Sequence, residues 1–216
     1  MLKKMISASV VILALMLSGC GTADSEGESM LAAQNAVDTG DAGTAIAILE
    51  AKTDRTDDEN ALLAEAYASQ AGYSMIDITI AFVDASESNV SSNSTVSLIE
   101  SLIDQASPTA VADLNQSIAY YESIPVADRT EDQNFKLGMT YIVLLAVMVD
   151  DPSYAGADIL PIAQGGFDAL GAVVATMNDP DLQTSYDELE LEMIGVDDAT
   201  SIAKLDDIIA QYNALP

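Results

Sequence analysis

The chain has 216 residues, half of them hydrophobic, and a formal net charge of −28 from 35 acidic and 7 basic residues. So hydrophobic a composition argues against a disordered acidic chain, and so few cations exclude a nucleic-acid-binding patch. There is no histidine and only one cysteine, which excludes the commonest general base, histidine-containing catalytic triads and most zinc sites.

The N-terminus has the organisation of an export signal. Lys3 and Lys4 precede an apolar run over residues 10–17, which is shorter than the roughly 20 residues that a membrane-spanning helix needs. The run ends in Leu17-Ser18-Gly19-Cys20, which resembles the lipobox of bacterial lipoproteins at all four positions. The resemblance implies that residues 1–19 are a lipoprotein signal peptide. It also implies that Cys20 is lipidated and becomes the mature N-terminus.

The residue after the cysteine predicts where the anchored protein resides. It is Gly21 rather than aspartate, and by resemblance to the enterobacterial sorting rule this predicts the outer membrane, facing the periplasm. Removal of Lys3 and Lys4 with the signal takes the formal net charge from −28 to −30. The body is then repelled by anionic lipid, so the anchor alone carries the attachment. The acidity favours solubility, basic partners or a saline habitat, without separating the three.

After the signal, the sequence predicts a flexible tether over residues 20–28 and a single α-helical domain over residues 29–216. Apolar residues recur at spacings of three and four in several segments, the pattern of amphipathic helices. Alternation typical of a strand is short, and its best case is residues 76–80. The clearest loop is the serine- and asparagine-rich stretch at residues 86–94. The predicted fold class is all-α, built of antiparallel helical hairpins.

Two apolar segments follow one another in the second half of the chain. Residues 137–149 are apolar on all sides but too short to span a bilayer, which predicts a helix buried at the centre of a bundle. Residues 155–177 are rich in alanine and glycine. There, Gly165-Gly166 predicts a break or kink, and the small residues predict close approach of helices.

Prolines and glycines mark the predicted helix ends. Pro108, Pro152 and Pro180 each follow a capping residue and are predicted to open helices. The predicted stops are Gly72, Asn178 and Gly195.

A seven-residue phrase occurs twice, as DRTDDEN at residues 54–60 and as DRTEDQN at residues 128–134. In each copy a threonine is followed three positions later by Glu or Gln, which is the capping-box pattern of a helix N-terminus. The predicted pairs are Thr56 with Glu59 and Thr130 with Gln133.

The likeness extends beyond the caps. Residues 46–50 align with residues 118–122, and Tyr67 aligns with Tyr141. The repeated unit is therefore a helix, a short acidic turn and a capped helix, which predicts a helical repeat array. In the second copy, Tyr121 is predicted to lie in the core and Tyr120 at its rim.

The first copy resembles a tetratricopeptide repeat over residues 31–73. Gly40 and Gly72 are 32 positions apart, close to that family's 34-residue period. The second copy has Asp113-Leu114 where the Gly-Asp turn would fall, and the C-terminal third shows no repeat. The body is therefore either a tetratricopeptide-like array or an irregular helical bundle.

The resemblance implies a concave face that binds peptides or partner proteins. We therefore expect an outer-membrane-anchored periplasmic scaffold or assembly subunit with a protein or peptide partner. The alternative is an accessory lipoprotein of a transport system similar to the TRAP type, which holds a small ligand for a substrate-capture partner.

No enzyme is predicted, and no catalytic residue, metal site or cofactor is assigned. Adjacent aspartates occur as four Asp-Asp pairs, at 57–58, 150–151, 197–198 and 206–207. Adjacent residues do not face each other on a helix, so the pairs indicate helix caps and solvated surface rather than a glycosidase site. The acidic turns at 38–41 and 178–181 do not follow the ligand order of an EF-hand.

Replacement of the anchoring residue tests the lipobox. We expect Cys20→Ser to release the protein from membranes, because the acyl chains supply the attachment at about 0.8 kcal/mol per buried CH₂. Fractionation of cells checks this. Retention of the variant in the membrane fraction would show that something other than Cys20 anchors the chain.

Overall fold

The computed structural model of the chain describes residues 25–74, 102–195 and 197–214. Within these ranges the secondary structure is helical, with no strand, so the predicted all-α class is confirmed there. The signal, the lipobox with Cys20, the alternating stretch at 76–80 and the loop at 86–94 lie outside the described residues.

Eight α-helices lie wholly within the described ranges. In chain order they are α1 Ser25–Asp38, α2 Ala42–Glu50, α3 Asp57–Gln70, α4 Ala110–Ser123, α5 Glu131–Asp150, α6 Gly156–Thr176, α7 Pro180–Met193 and α8 Asp198–Asn213. Helix α1 begins at Ser25, so residues 25–28 of the predicted tether are helical. The polar composition of this segment indicated a tether, but these residues continue directly into α1.

Consecutive helices pack against one another from α1 to α6, and α6 then contacts both α7 and α8. The buried side chains form two clusters. A smaller cluster joins α1, α2 and α3 around Leu49 and Leu63. A larger one joins α3, α4, α5, α6 and α8 and includes Ile194, which follows α7. Tyr120 packs at the edge of both clusters, so it lies where the first repeat copy meets the second.

Helix α5 is the central element of the larger cluster. It packs against α4, α6 and α8, and eleven of its 20 residues are buried. The apolar stretch at 137–149 lies inside it, so the predicted buried central helix is confirmed. Burial on several sides accounts for the absence of a polar face in this segment.

Helix α6 runs without interruption through Gly165-Gly166, so the predicted break is wrong. The physical reason is contact with α5: a Cβ at Gly165 would lie 2.5 Å from Cζ of Tyr141, and one at Gly166 would lie 3.2 Å from its Cβ. The glycines permit close packing rather than ending the helix, which confirms the predicted close approach.

Among the described helices, α6 is also the one whose length and hydropathy would suffice to cross a bilayer. One third of its apolar window is buried within the protein. The glycines at its contact with α5 and its packing against α7 and α8 show that part of its apolar surface serves the helical core.

Four of the six predicted helix ends agree with the structure. Gly72, Asn178 and Gly195 have positive φ angles of 104°, 49° and 89°, as expected where a chain leaves a helix. Pro180 opens α7, but Pro108 and Pro152 precede helices that begin later, at Ala110 and Gly156. Both prolines instead lie in the connecting turns, so those two predictions are wrong.

Two glycine substitutions distinguish the effect of close packing on stability from the effect of helix propensity. We expect Gly165→Ala to lower the free energy of unfolding by about 1–3 kcal/mol, because the added methyl overlaps the Tyr141 ring. Gly43→Ala is the matched control, since a Cβ there meets nothing within 4 Å and should stabilise by up to about 1 kcal/mol. Urea denaturation measures both, and an equal effect of the two would contradict the packing account.

Candidate functional site

Both capping boxes are formed in the structure. Thr56 Oγ1 accepts from the backbone N–H of Glu59 at 3.3 Å, and the Glu59 carboxylate accepts from the N–H of Thr56 at 2.9 Å. In the second copy, Thr130 Oγ1 accepts from Gln133 N at 3.2 Å and Gln133 Oε1 accepts from Thr130 N at 2.9 Å. Helices α3 and α5 therefore begin in the same way.

The arginine of each repeated phrase closes the preceding helix, a role that sequence reasoning missed. Arg129 donates to the carbonyls of Tyr121, Glu122 and Ile124 at 2.9–3.2 Å, at the C-terminal end of α4. Arg55 donates to the carbonyls of Leu49 and Lys52 at 3.5 and 3.1 Å, at the end of α2. The available signal was the identical position of arginine before threonine in both phrases.

In each copy, a tyrosine of the second helix also bonds a glutamate at the end of the first helix. Tyr67 donates to Glu50 Oε1 at 2.6 Å, and Tyr141 donates to Glu122 Oε1 at 2.6 Å. These are the residues that align between the copies, so the internal repeat has the same hydrogen bond in both. Burial, and then the hydrogen bond to Glu50, raise the pKa of the Tyr67 hydroxyl, which stays protonated near neutrality.

The two copies diverge in what covers this tyrosine. Tyr141 is buried beneath Gly165 and Gly166 of α6. Tyr67 is only half-buried and stacks on Tyr120 of α4, with ring centroids 5.6 Å apart and planes inclined by 20°. In the first copy, the large side chain of Tyr120 therefore lies between α3 and α4. At the equivalent place in the second copy, glycines let α6 approach α5 closely.

An open cleft of about 390 Å³ lies beside Tyr120, between the turn joining α2 to α3 and the exposed side of α4. Its lining consists of Thr53, Arg55, Asn60, Gln116, Ala119, Tyr120 and Ser123. Six of these seven side chains are polar and none is acidic. The cleft can therefore offer hydrogen bonds and one positive charge to a bound group.

Arg55 and Tyr120 fix the geometry of the cleft. The guanidinium carbon of Arg55 lies 5.3 Å from the centroid of the Tyr120 ring, within the range of a cation–π interaction. The Tyr120 hydroxyl donates to Glu50 Oε1 at 3.3 Å, the same oxygen that accepts from Tyr67. The predicted division between Tyr121 in the core and Tyr120 at the rim is confirmed, since Tyr121 is fully buried and Tyr120 is half-buried.

A charged cluster joins the two copies. Lys136 of α5 contacts Glu65 of α3 at 2.7 Å and Asp132 at 2.9 Å. Burial lowers the pKa of Lys136, but the two carboxylates outweigh it and raise the pKa overall. The fully buried Tyr121 hydroxyl has no hydrogen-bond partner among the described residues, and burial, with Glu65 and Asp132 nearby, raises its pKa. Tyr121 therefore stays neutral.

The acidic side chains of the connecting turns act as helix N-caps or bond within the turn, and among the described residues no group of three or more potential metal ligands occurs. Asp41 accepts from Thr44 N at 3.2 Å, and Asp197 accepts from Thr200 N at 2.8 Å. The latter bond lowers the pKa of the Asp197 carboxyl. In the turn at 178–181, the Asp179 carboxylate accepts from Asp181 N at 3.0 Å.

No protein-family model matches the chain, and no curated protein or solved structure matches it. The internal repeat is therefore defined by the chain's own two copies, and the tetratricopeptide resemblance stays a prediction.

Substitution of Tyr120 tests its role in organising the cleft. We expect Tyr120→Ala to lower the free energy of unfolding by about 1–3 kcal/mol, through loss of the ring stack and the cation–π contact. Tyr120→Phe keeps both ring contacts and removes only the 3.3 Å hydrogen bond to Glu50, so it should stay within about 1 kcal/mol of the parent. Urea denaturation distinguishes the two, and equal losses would show that the ring contacts contribute nothing.

Proposed function

We propose that this chain is a lipid-anchored, non-enzymatic scaffold of the bacterial cell envelope that binds a partner protein through the cleft beside Tyr120. In this proposal Cys20 holds the helical body to the outer membrane, and the body faces the periplasm. The anchor rests on the lipobox Leu17-Ser18-Gly19-Cys20, and the binding role rests on the cleft.

The observation that carries the binding role is an open, polar cleft built on a repeated helical frame. The cleft opens to solvent, so a bound segment of a partner can continue beyond it in either direction. Its walls are set by the turn after α2 and by α4, both tied down by Arg55 and Tyr120. A preformed contact site loses little conformational entropy on binding.

Five carboxylates have structural partners within the protein, which supports a non-enzymatic role for them. Glu59, Asp41 and Asp197 cap helices. Glu65 and Asp132 neutralise Lys136. A general acid or base needs a free position against a substrate, and these carboxylates are engaged within the protein.

The cleft favours a protein segment over the alternative of a small ligand held for a transport partner. Sites for small ligands usually enclose 70–90% or more of the ligand surface and are mostly apolar, roughly 300–1,000 Å³ in size. This cleft falls within that size range but is open and largely polar. A transport accessory that resembles the TRAP-associated class stays the second hypothesis, and the experiment below separates the two.

Position-specific photocrosslinking tests the proposal on the full-length protein in its native membranes. p-Benzoylphenylalanine replaces Gln116, which lines the cleft, or Asn115, which is exposed on the same helix outside the lining. We expect one discrete protein adduct from position 116 and none from position 115. The adduct should be lost when Tyr120→Ala is added.

The other results contradict the proposal in distinct ways. Equal adducts from positions 115 and 116 would mean that the cleft is not the contact site. No protein adduct from position 116, together with a small molecule that copurifies with the protein, would support the transport-accessory hypothesis instead.

A further inference from the structure

We infer that the cleft beside Tyr120 binds a carboxylate group, with the guanidinium of Arg55 as its principal donor. The inference rests on the proposed function, because it names the ligand chemistry of the same site.

Arg55 is held in place with part of its donor set unused. Its Nε donates to Asn60 Oδ1 at 3.1 Å, and its Nη1 donates to the carbonyl of Lys52 at 3.1 Å. The Tyr120 ring supports the guanidinium at 5.3 Å. Nη2 makes no hydrogen bond with any residue that the structure describes, so its two hydrogens are available in a side chain that is already immobilised. The conformational cost of recruiting Arg55 is therefore low.

Neighbouring side chains add donors to the same cleft. The Asn60 oxygen already accepts from Arg55, which leaves the Asn60 Nδ2 hydrogens for another acceptor. The side chains of Thr53 and Gln116 line the cleft and make no hydrogen bonds within the described ranges. A group that accepts several hydrogen bonds suits this lining better than one that donates them.

The distribution of charge points to an anion of single charge. The chain carries 35 acidic residues, yet none of those that the structure describes lines the cleft, and Arg55 is the cation among the lining residues. A carboxylate matches that one charge, and hydrogen bonds between ionised groups are the strong ones. A phosphate carries more negative charge than Arg55 neutralises, and the acidic body opposes the excess.

Other ligand classes fit the lining less well. A saccharide needs an aromatic face to stack on, but the Tyr120 ring already contacts Tyr67 and Arg55. A cation would meet the positive charge of Arg55, and an apolar group would meet hydroxyls and amides. The carboxylate can come from the C-terminus of a partner chain or from a free small carboxylate, and the open mouth of the cleft admits either.

The chain offers a direct spectroscopic test because it contains only two arginines, Arg55 and Arg129. Full-length protein labelled with ¹⁵N-arginine, in detergent micelles, should give two side-chain Nε–H signals. Arg129 bonds the same kind of helix-end carbonyls as Arg55 but does not line the cleft, so it is the internal reference. The probes are an N-acetylated random pentapeptide library with free carboxyl termini, the same library amidated, sodium acetate, sodium phosphate and sodium chloride at matched ionic strength.

We expect the free-carboxyl library to move the Arg55 signal saturably and to leave the Arg129 signal in place. Amidation should weaken the effect at least tenfold, because the charged acceptor is lost. Acetate as effective as the library would assign the site to free small carboxylates. No response of Arg55 to any carboxylate, or a response to phosphate alone, would overturn the inference. The photocrosslinking result from position 116 would still test the proposed function independently of this outcome.

A negative charge introduced at Gln116 gives a second readout and leaves the residues that contact Arg55 unchanged. Gln116→Glu places a negative charge in the cleft and should weaken binding of the free-carboxyl library at least tenfold. Asn115→Glu adds the same charge to the same helix outside the lining and should leave binding unchanged. Equal weakening by both variants would reduce the effect to general repulsion and contradict a carboxylate site at Arg55.

Discussion

The structure depends on the saturation of backbone groups where one helix ends and the next begins. Helix ends leave backbone N–H and C=O groups without intrahelical partners. In both repeat copies an arginine bonds the carbonyls of the helix that ends, and a threonine with Glu or Gln bonds the N–H groups of the helix that begins. The arginine, the threonine and the Glu or Gln thus seal the turn, because together they satisfy backbone groups on both sides of it.

The two copies share this frame but differ in the helix that packs against them. In the second copy, α6 closes on α5 because glycine faces Tyr141, and the surface becomes part of the core. In the first copy, Tyr120 stands against Tyr67 and Arg55, and a cleft stays open beside it. One unit is therefore packed into the core, and the other leaves open the cleft that we propose as a binding surface. The residues that differ are Tyr120 on the helix after the first copy and Gly165 and Gly166 on the helix after the second.

Each of the five basic residues that the structure describes has a defined partner. Lys52 pairs with Glu59, Lys136 joins Glu65 to Asp132, and Lys204 donates to the carbonyl of Leu191. The two arginines close helices. In a chain of net charge −28, buried or half-buried cations of this kind offset repulsion at the joints between helices. Arg55 also lines the open cleft, which is why the proposed carboxylate site is centred on it.

Local chemistry was predictable from the sequence, and long-range geometry was not. The capping pairs, the buried helix at 137–149 and the separate roles of Tyr120 and Tyr121 follow from short-range patterns of residue type. The continuity of α6 does not, because glycine propensity indicates a break, whereas a contact with Tyr141 decides the outcome. The cleft could not be predicted from the sequence either, since it requires α4 to lie against a turn some 60 residues earlier in the chain. The carbonyl partners of Arg55 and Arg129 depend on how each helix ends, which no motif specifies.

Native-state hydrogen exchange on Arg129→Gln tests the account of the sealed turn most directly. Arg129 holds the carbonyls of Tyr121 and Ile124 and adjoins the Thr130 cap. The account therefore predicts faster exchange of the amides at Ile124 and Gln133 together, while the first copy keeps its protection. Unchanged protection at both amides, or loss at only one side of the turn, would contradict the claim that these two side chains seal the turn as one unit.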